Sequence, residues 1–210
     1  MLKAFVSILF AVLTTSAFAV SPEVSRLQQD WAEIKYKQPK NQHEKKFASL
    51  LKIAEDAASK SPNDPEVLIW YGIIEASYAG ARGGLGALSY VKSAKKSFER
   101  AIEIKPSALD GSAFTSLGSL YYQVPSWPIG FGDNKKALEF LKKGLAANPE
   151  GIDSNFFYGE FLFKNDDYAS AEQALKKALA SAPRPGRELA DEGRRSEIKA
   201  LLIKIAEKKK

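Results

Sequence analysis

The chain has 210 residues, with 31 basic and 25 acidic side chains and a formal net charge of +6. It contains no cysteine and a single histidine, which excludes disulfides and cysteine nucleophiles and argues against multi-histidine metal sites and Ser-His-Asp catalysis. No basic-aromatic motif accompanies the modest positive charge, so nucleic acid is not an expected partner.

The first nineteen residues have the layout of a secretory signal peptide. Lys3 supplies the positive end, Ala4 to Leu13 form an apolar core, and Ala17-Phe18-Ala19 place small residues at cleavage-type positions. The apolar run is shorter than the roughly 20 residues that cross a bilayer, although an uncleaved anchor is the alternative. We expect cleavage near Ala19, no stable membrane insertion afterwards, and a periplasmic or secreted protein.

Residues 20–64 predict a pair of helices. Ser21-Pro22-Glu23 is a helix start, and Leu27, Trp31 and Ile34 share one apolar face of the helix that follows. A second helix is predicted near residues 44–60. Its second helix carries a weaker copy of the spacing that recurs further along the chain, at Leu50, Ala54, Ala57 and Pro62, and the pair is interpreted as a degenerate N-terminal unit.

Residues 65–186 contain a repeated spacing. Small or apolar residues and a proline recur at offsets of +4, +3 and +5 in three sets: Ala94, Phe98, Ala101, Pro106; Ala137, Leu141, Gly144, Pro149; and Ala171, Leu175, Ala178, Pro183. Upstream of the sets, Gly72, Gly118 and Gly159 recur inside helical runs, where glycine costs about 1 kcal/mol relative to alanine. This predicts two helices per unit that approach too closely at glycine to leave room for a side chain.

The third set matches a known family without a gap. Together with Asn155, Tyr158-Gly159 and Leu162, it resembles the tetratricopeptide repeat (TPR), a helix–turn–helix unit of about 34 residues. The resemblance implies an all-α, right-handed α-solenoid of about three clear repeats over residues 65–186. The degenerate unit precedes the repeats, and residues 187–210 form a C-terminal capping helix.

Two turns between helices are longer than the family's usual turn. The insertions are Gly80–Tyr90 and Gln123–Asn134, the latter reading QVPSWPIGFGDN, and stacking places both on one edge of the solenoid. Two readings are open for Trp127, Ile129 and Phe131. They tuck under the loop and cover the edge of the helical pair, or Trp127 and Phe131 form a wall of a binding site.

The resemblance also implies which side chains line the concave groove. The groove-facing positions are Ile69, Ile73, Thr115, Ser119, Tyr122, Phe156, Glu160 and Phe163. This mixture suits an extended or apolar peptide or a small amphipathic ligand, and it lacks the lysines and asparagines with which one TPR subclass grips C-terminal carboxylates. The competing reading is that the inserted loops or terminal helices fill the groove.

The predicted function is that of an exported TPR scaffold or adaptor for a protein or peptide partner in the cell envelope. The alternative is a periplasmic small-ligand-binding protein resembling accessory components of solute transporters, which a continuous cavity lined by Trp127, Tyr122, Phe156 and Phe163 would favour. No catalytic residue, metal site or cofactor is predicted. The adjacent carboxylates of Asp166-Asp167 and Asp191-Glu192 have turn or helix-start explanations, and none pairs with a convincing base or nucleophile.

Overall fold

The computed structural model describes residues 20–209; the predicted signal peptide, residues 1–19, lies outside the described residues. Residues 20–209 contain nine α-helices and no β-strand. The helices are α1 (Pro22–Lys37), α2 (Lys40–Lys60), α3 (Pro65–Arg82), α4 (Leu88–Ile104), α5 (Ser112–Gln123), α6 (Asn134–Ala147), α7 (Ile152–Lys164), α8 (Tyr168–Ala180) and α9 (Glu188–Lys208). No helix in this part of the chain is long and apolar enough to cross a membrane.

The helices form an all-α solenoid of stacked hairpins. The pairs are α1–α2, α3–α4, α5–α6 and α7–α8, and α9 packs on α7 and α8. We call the first helix of each pair the A helix and the second the B helix. The A helices α3, α5 and α7 contact one another in turn, so the four A-to-B turns lie at one edge, here named the connector edge (residues 38–39, 83–87, 124–133 and 165–167).

Acidic side chains fix where several helices begin. The carboxylate of Asp64 accepts hydrogen bonds from the backbone N–H groups of Glu66 and Val67, with Pro65 in the first helical position, as the sequence predicts. Asp133 caps α6 in the same way. These caps satisfy backbone donors that have no partner within the helix.

The recurring glycines lie where paired helices approach most closely, which confirms the prediction. A Cβ at Gly72 would lie 2.7 Å from the Phe98 ring, and one at Gly159 would lie 2.9 Å from Leu175 Cγ. At Gly118 a Cβ would lie 2.8 Å from Leu141 Cγ and 2.9 Å from its backbone N. The repeat spacing therefore encodes the A-to-B contact directly.

The core has two clusters. One joins α3 to α9 and includes Phe98, Leu117, Leu141, Leu175 and Ile198; the other joins α1, α2 and α3 and also takes Ala190 from α9. The C-terminal helix thus contributes to both clusters.

The first predicted insertion differs from expectation. Most of Gly80–Tyr90 lengthens the two helices: α3 continues to Arg82, α4 begins at Leu88, and residues 83–87 alone connect them through a short 3₁₀ turn. Arg82 favours the extra turn because its guanidinium donates to Tyr78 Oη at 2.8 Å and lies against the Tyr90 ring.

Candidate functional site

Four of the predicted groove residues are buried and therefore inaccessible to a partner. Ile69, Thr115, Ser119 and Phe156 all belong to the interior. Thr115 faces the B helix of its own hairpin: a Cβ at Gly144 would lie 2.3 Å from Thr115 Oγ1. Its assignment to the open groove was therefore wrong, because that helix face packs on α6.

The chain's own terminal helices cover the A helices, as the competing reading predicted. The Arg194 guanidinium of α9 lies 4.2 Å from the centre of the Phe156 ring, and Arg187 lies 5.0 Å from that of Trp70. From α1, Trp31 packs edge-on against Trp70 and donates its indole N–H to Ser77 Oγ at 2.8 Å. The groove is occupied along the face of α3 and at the start of α7.

An ion cluster holds α9 in place. The Asp153 carboxylate of α7 accepts hydrogen bonds from Arg184 and Arg194, both at 2.8 Å. Arg184 also donates to Asp191 at 2.6 Å, and Arg194 donates to Glu197 at 2.6 Å. Burial alone would raise the pKa of Asp153, but Arg194 and Arg184 outweigh it and hold the pKa well below its usual value.

α1 and α9, the first and last helices, contact each other directly, and this contact closes the groove. A Cβ at Gly193 would lie 2.4 Å from Tyr36 Cγ, so the ring rests on the bare backbone of α9. The Tyr36 hydroxyl hydrogen-bonds to Glu197 at 3.3 Å, and Lys35 forms an ion pair with the same carboxylate at 3.4 Å.

A second group of predicted residues stays accessible where α5 and α7 end. Tyr122, Glu160 and Phe163 are half-buried, and Gln123 and Lys164 beside them are exposed; we name these five residues the groove-end patch. Tyr122 donates its hydroxyl to Glu160 at 2.5 Å, and the Lys164 ammonium lies 4.8 Å from the centre of the Tyr122 ring. Burial raises the pKa of Tyr122 well above its usual value and Glu160 adds to the effect, so the hydroxyl remains a donor.

The predicted residue Ile73 lies at the boundary of the two core clusters. It is half-buried and packs against both. It is therefore separate from the groove-end patch.

The second connector has a braced base and an exposed tip. Phe131 packs edge-on against Tyr121 with ring centres 5.6 Å apart, whereas Trp127 is 86% exposed and Ile129 is 57% exposed. The tucked reading therefore holds for Phe131 and is wrong for Trp127 and Ile129. Trp127 and Phe131 do not form one wall, because Phe131 belongs to the base and Trp127 to the tip.

Backbone contacts form the base of this loop. The Gly132 N–H donates to Pro125 O at 2.9 Å, and the Asp133 N–H donates to Tyr121 O at 2.8 Å. A Cβ at Gly132 would lie 2.0 Å from Val124 O, so the two sides of the loop approach as closely as only glycine permits. The tip is thus presented on a loop whose ends are fixed.

The first connector also presents an apolar side chain. Leu85 is 79% exposed and follows Gly83 and Gly84, which both have positive φ. Because α3 and α5 are successive A helices, Leu85 and Trp127 lie on the same edge of the solenoid.

Two surface cavities lie elsewhere. One, of about 350 Å³, lies between α1 and the start of α9 and is lined by residues 28–30, 32–33 and 186–190. The other, of about 440 Å³, lies between α8 and the end of α9 and includes Glu172 and Leu202. Neither is lined by Tyr122, Trp127, Phe156 or Phe163, the residues on which the small-ligand alternative depends.

Sequence reasoning missed the ion cluster. Asp191 was read as a helix-start residue, and no role was given to Arg184, Arg194 or Asp153. The close alternation of arginines and acidic residues within positions 184–197 was the available signal. That pattern does not identify Asp153 on α7 as the partner of the arginines, and the cluster forms around Asp153.

Comparisons with known proteins agree with this architecture. Residues 129–202 match the family model described as tetratricopeptide repeat. A thermophilic TPR protein from Thermus thermophilus is similar over 88% of this chain and 89% of its own, with 23% identity and a TM-score of 0.57. No curated protein matches the sequence.

Two structures of MamA are also similar, both with a TM-score of 0.45. One has 18% identity, with 78% of this chain and 89% of that chain covered; the other has 16% identity, with 89% and 92% covered. The family match and the Thermus structure show that the fold is that of TPR proteins. Such proteins generally mediate protein–protein interaction and are generally non-catalytic scaffolds.

Proposed function

We propose that this chain is an exported scaffold or adaptor of the cell envelope that binds a protein partner at the groove-end patch. The observation that carries the proposal is the division of the A-helix surface. α1 and α9 cover the faces of α3 and the start of α7, and the ends of α5 and α7 leave accessible aromatic, amide, carboxylate and ammonium groups together.

The composition of the patch supports a protein partner. Aromatic side chains such as those of Tyr122 and Phe163 are enriched at protein interfaces, where they bury a large area at a small cost in conformational entropy. Glu160 and Lys164 supply charges of both signs and Gln123 supplies an amide, so the patch can orient a peptide segment by hydrogen bonds.

The test is photo-crosslinking in intact cells. A photoreactive amino acid replaces Lys164. A control variant carries it in place of Glu150, whose side chain is 79% exposed and lies just after the C-terminal end of α6, away from the groove-end patch. We expect a protein adduct from position 164 that the additional substitution Phe163→Ala reduces severalfold. An equal yield from positions 164 and 150 contradicts the assignment.

The envelope location rests on the predicted signal peptide and has its own test. Cell fractionation and N-terminal sequencing are expected to find a mature protein that begins at Val20 outside the cytoplasm. A cytoplasmic protein that retains Lys3 contradicts export and leaves the binding proposal to the crosslinking result.

A further inference from the structure

Exposed apolar side chains concentrate on the connector edge. Within residues 20–209, five large apolar side chains are classed as exposed, and three of them, Leu85, Trp127 and Ile129, lie on two connectors. The other two are Ile53 on α2 and Ile203 on α9. Apolar tips that are carried on fixed loops and left uncovered indicate a surface on which something docks.

The charge around these tips is positive. Arg82 and Lys92 flank Leu85 with no acidic residue between positions 80 and 92, and Lys135 and Lys136 follow the Trp127 loop. Asp133, the acidic residue of that loop, accepts hydrogen bonds from the N–H groups at the start of α6. Lys37, Lys40 and Lys45 add exposed cations where α1 ends and α2 begins, and the exposed Glu44 in the same stretch interacts electrostatically with Arg82.

The basic region has defined limits. At the α7–α8 turn, Asp166 and Asp167 introduce negative charge, and Asn165 contacts Asn134 across the adjacent turns. The opposite edge carries charges of both signs: the carboxylates of Asp56, Glu103 and Glu150 pair there with Lys60, Arg100 and Lys177. The excess of basic side chains beside the apolar tips therefore favours an anionic partner surface.

We propose that the connector edge docks on the surface of an anionic lipid bilayer, with Trp127, Ile129 and Leu85 entering the headgroup region and the neighbouring lysines facing lipid phosphates. Tryptophan is the side chain most typical of this interface, and cations beside it gain from anionic headgroups. The tips come from separate connectors and do not surround a pocket. This arrangement suits a flat and fluid surface better than a protruding side chain of a protein partner.

The braced base of the second connector supports the same conclusion. Phe131 and the backbone bonds of Gly132 and Asp133 already fix the loop, so little conformational entropy remains to be lost on docking. The inference goes beyond the proposed function and does not depend on it. The groove-end patch and the connector tips are separate sets of residues.

Tryptophan fluorescence provides a direct test with the full mature chain. Trp31 and Trp70 are buried in the core, so a change of emission on binding reports Trp127. With phosphatidylcholine vesicles that contain phosphatidylglycerol, we expect a blue shift and co-sedimentation, both of which weaken at high salt. Pure phosphatidylcholine vesicles are expected to give neither.

Substitutions separate apolar from charged contributions. Trp127→Ala is expected to remove the shift and weaken co-sedimentation about tenfold, as for partial burial of one large side chain. Lys135→Glu with Lys136→Glu is expected to weaken it at least tenfold, since one basic residue near such a surface contributes roughly fivefold.

Matched controls change the same properties away from the connector edge. Lys142→Glu with Lys143→Glu alters net charge equally, further along α6, and Ile53→Ala removes an exposed apolar side chain from α2. Both are expected to bind within about twofold of the wild type.

Equal losses in the control and test variants, binding to neutral vesicles as strong as to anionic ones, or no binding to anionic vesicles overturns the proposal. A protein adduct from a photoreactive residue at position 127 in cells, without a lipid adduct, also overturns it.

Discussion

Replacing Gly118 by alanine tests the packing on which the solenoid depends. In an exposed helix this change stabilises a protein by about 1 kcal/mol, because alanine is the better helix former. Here the new Cβ would lie 2.8 Å from Leu141 Cγ and 2.9 Å from the backbone N of Leu141. A rotamer change moves the side chain but not the backbone nitrogen, so α5 and α6 must separate.

The magnitude follows from two opposing contributions. Overpacking a core costs about 1–3 kcal/mol, and the gain in helix propensity recovers about 1 kcal/mol of it. Because the clash reaches a backbone atom, the overpacking cost lies in the upper part of that range, about 2–3 kcal/mol, so we expect Gly118→Ala to lower the free energy of unfolding by about 1–2 kcal/mol. For a domain of this size, the midpoint of thermal unfolding falls by about 2–8 °C.

Gly80 is the matched control. It lies in the last turns of α3, and a Cβ there would meet no atom within 4 Å. Gly80→Ala is therefore expected to raise the midpoint by about 2–4 °C. Thermal and urea unfolding followed by far-UV circular dichroism measure both variants. A Gly118→Ala protein as stable as the wild type refutes the reasoning.

Four further substitutions test the ion cluster and the second connector. Asp153→Asn is expected to lower the free energy of unfolding by about 2 kcal/mol at neutral pH, less than for a fully buried ion pair because the Asp153 side chain is 32% exposed. The folded-state pKa of Asp153 is depressed, so this stabilisation is present above the unfolded pKa near 3.9 and is lost as pH falls toward the folded value. If urea unfolding shows that Asp153→Asn destabilises the protein equally at neutral and acidic pH, this reasoning is contradicted. Trp127→Ala is expected to change stability by less than about 0.5 kcal/mol, and Phe131→Ala to lower it by about 2 kcal/mol, because only the second ring is packed; equal losses in urea unfolding contradict the difference between tip and base. Gly132→Ala is expected to cost about 2 kcal/mol and to open the loop to limited proteolysis near Trp127, and an unchanged digestion pattern argues against the close backbone approach.

The packing within each hairpin could be predicted from the sequence because it depends on residues that are close together in the chain. Each glycine meets the residue four positions after its paired alanine, and that hairpin contact depends only on helix geometry and a short turn. The caps at Asp64 and Asp133 are similarly local. The spacing therefore predicted the A-to-B packing.

The position of α9 was open in the sequence because it depends on the whole stack. The sequence predicts a capping helix over residues 187–210, but the curvature of four hairpins decides whether it reaches α1. The contact of Tyr36 with Gly193 and the bonds of Asp153 to Arg194 form only after that curvature exists. The buried state of Ile69 and Phe156 follows from the same closure.

The register of α5 explains the error at Thr115. The groove positions were transferred from the family's repeat, but Thr115 lies three residues before Gly118, and residues three apart share one face of a helix. Thr115 and Gly118 therefore both face α6. Tyr122 and Glu160 come together at the groove end because they lie near the ends of neighbouring A helices, where the family pattern still applies.

An engineered disulfide between α1 and α9 tests most directly whether the terminal helices close the groove. A Cβ at Gly193 would lie 2.4 Å from Tyr36 Cγ, which is about 1.5 Å from Tyr36 Cβ, so the two Cβ atoms lie within about 4 Å, a distance typical of disulfides. The chain has no native cysteine, so Tyr36→Cys with Gly193→Cys is free of competing thiols. If the terminal helices close the groove, the folded protein forms an intramolecular disulfide under mild oxidation and migrates faster on a non-reducing gel. Two thiols that stay free under conditions that keep the protein folded contradict the closure.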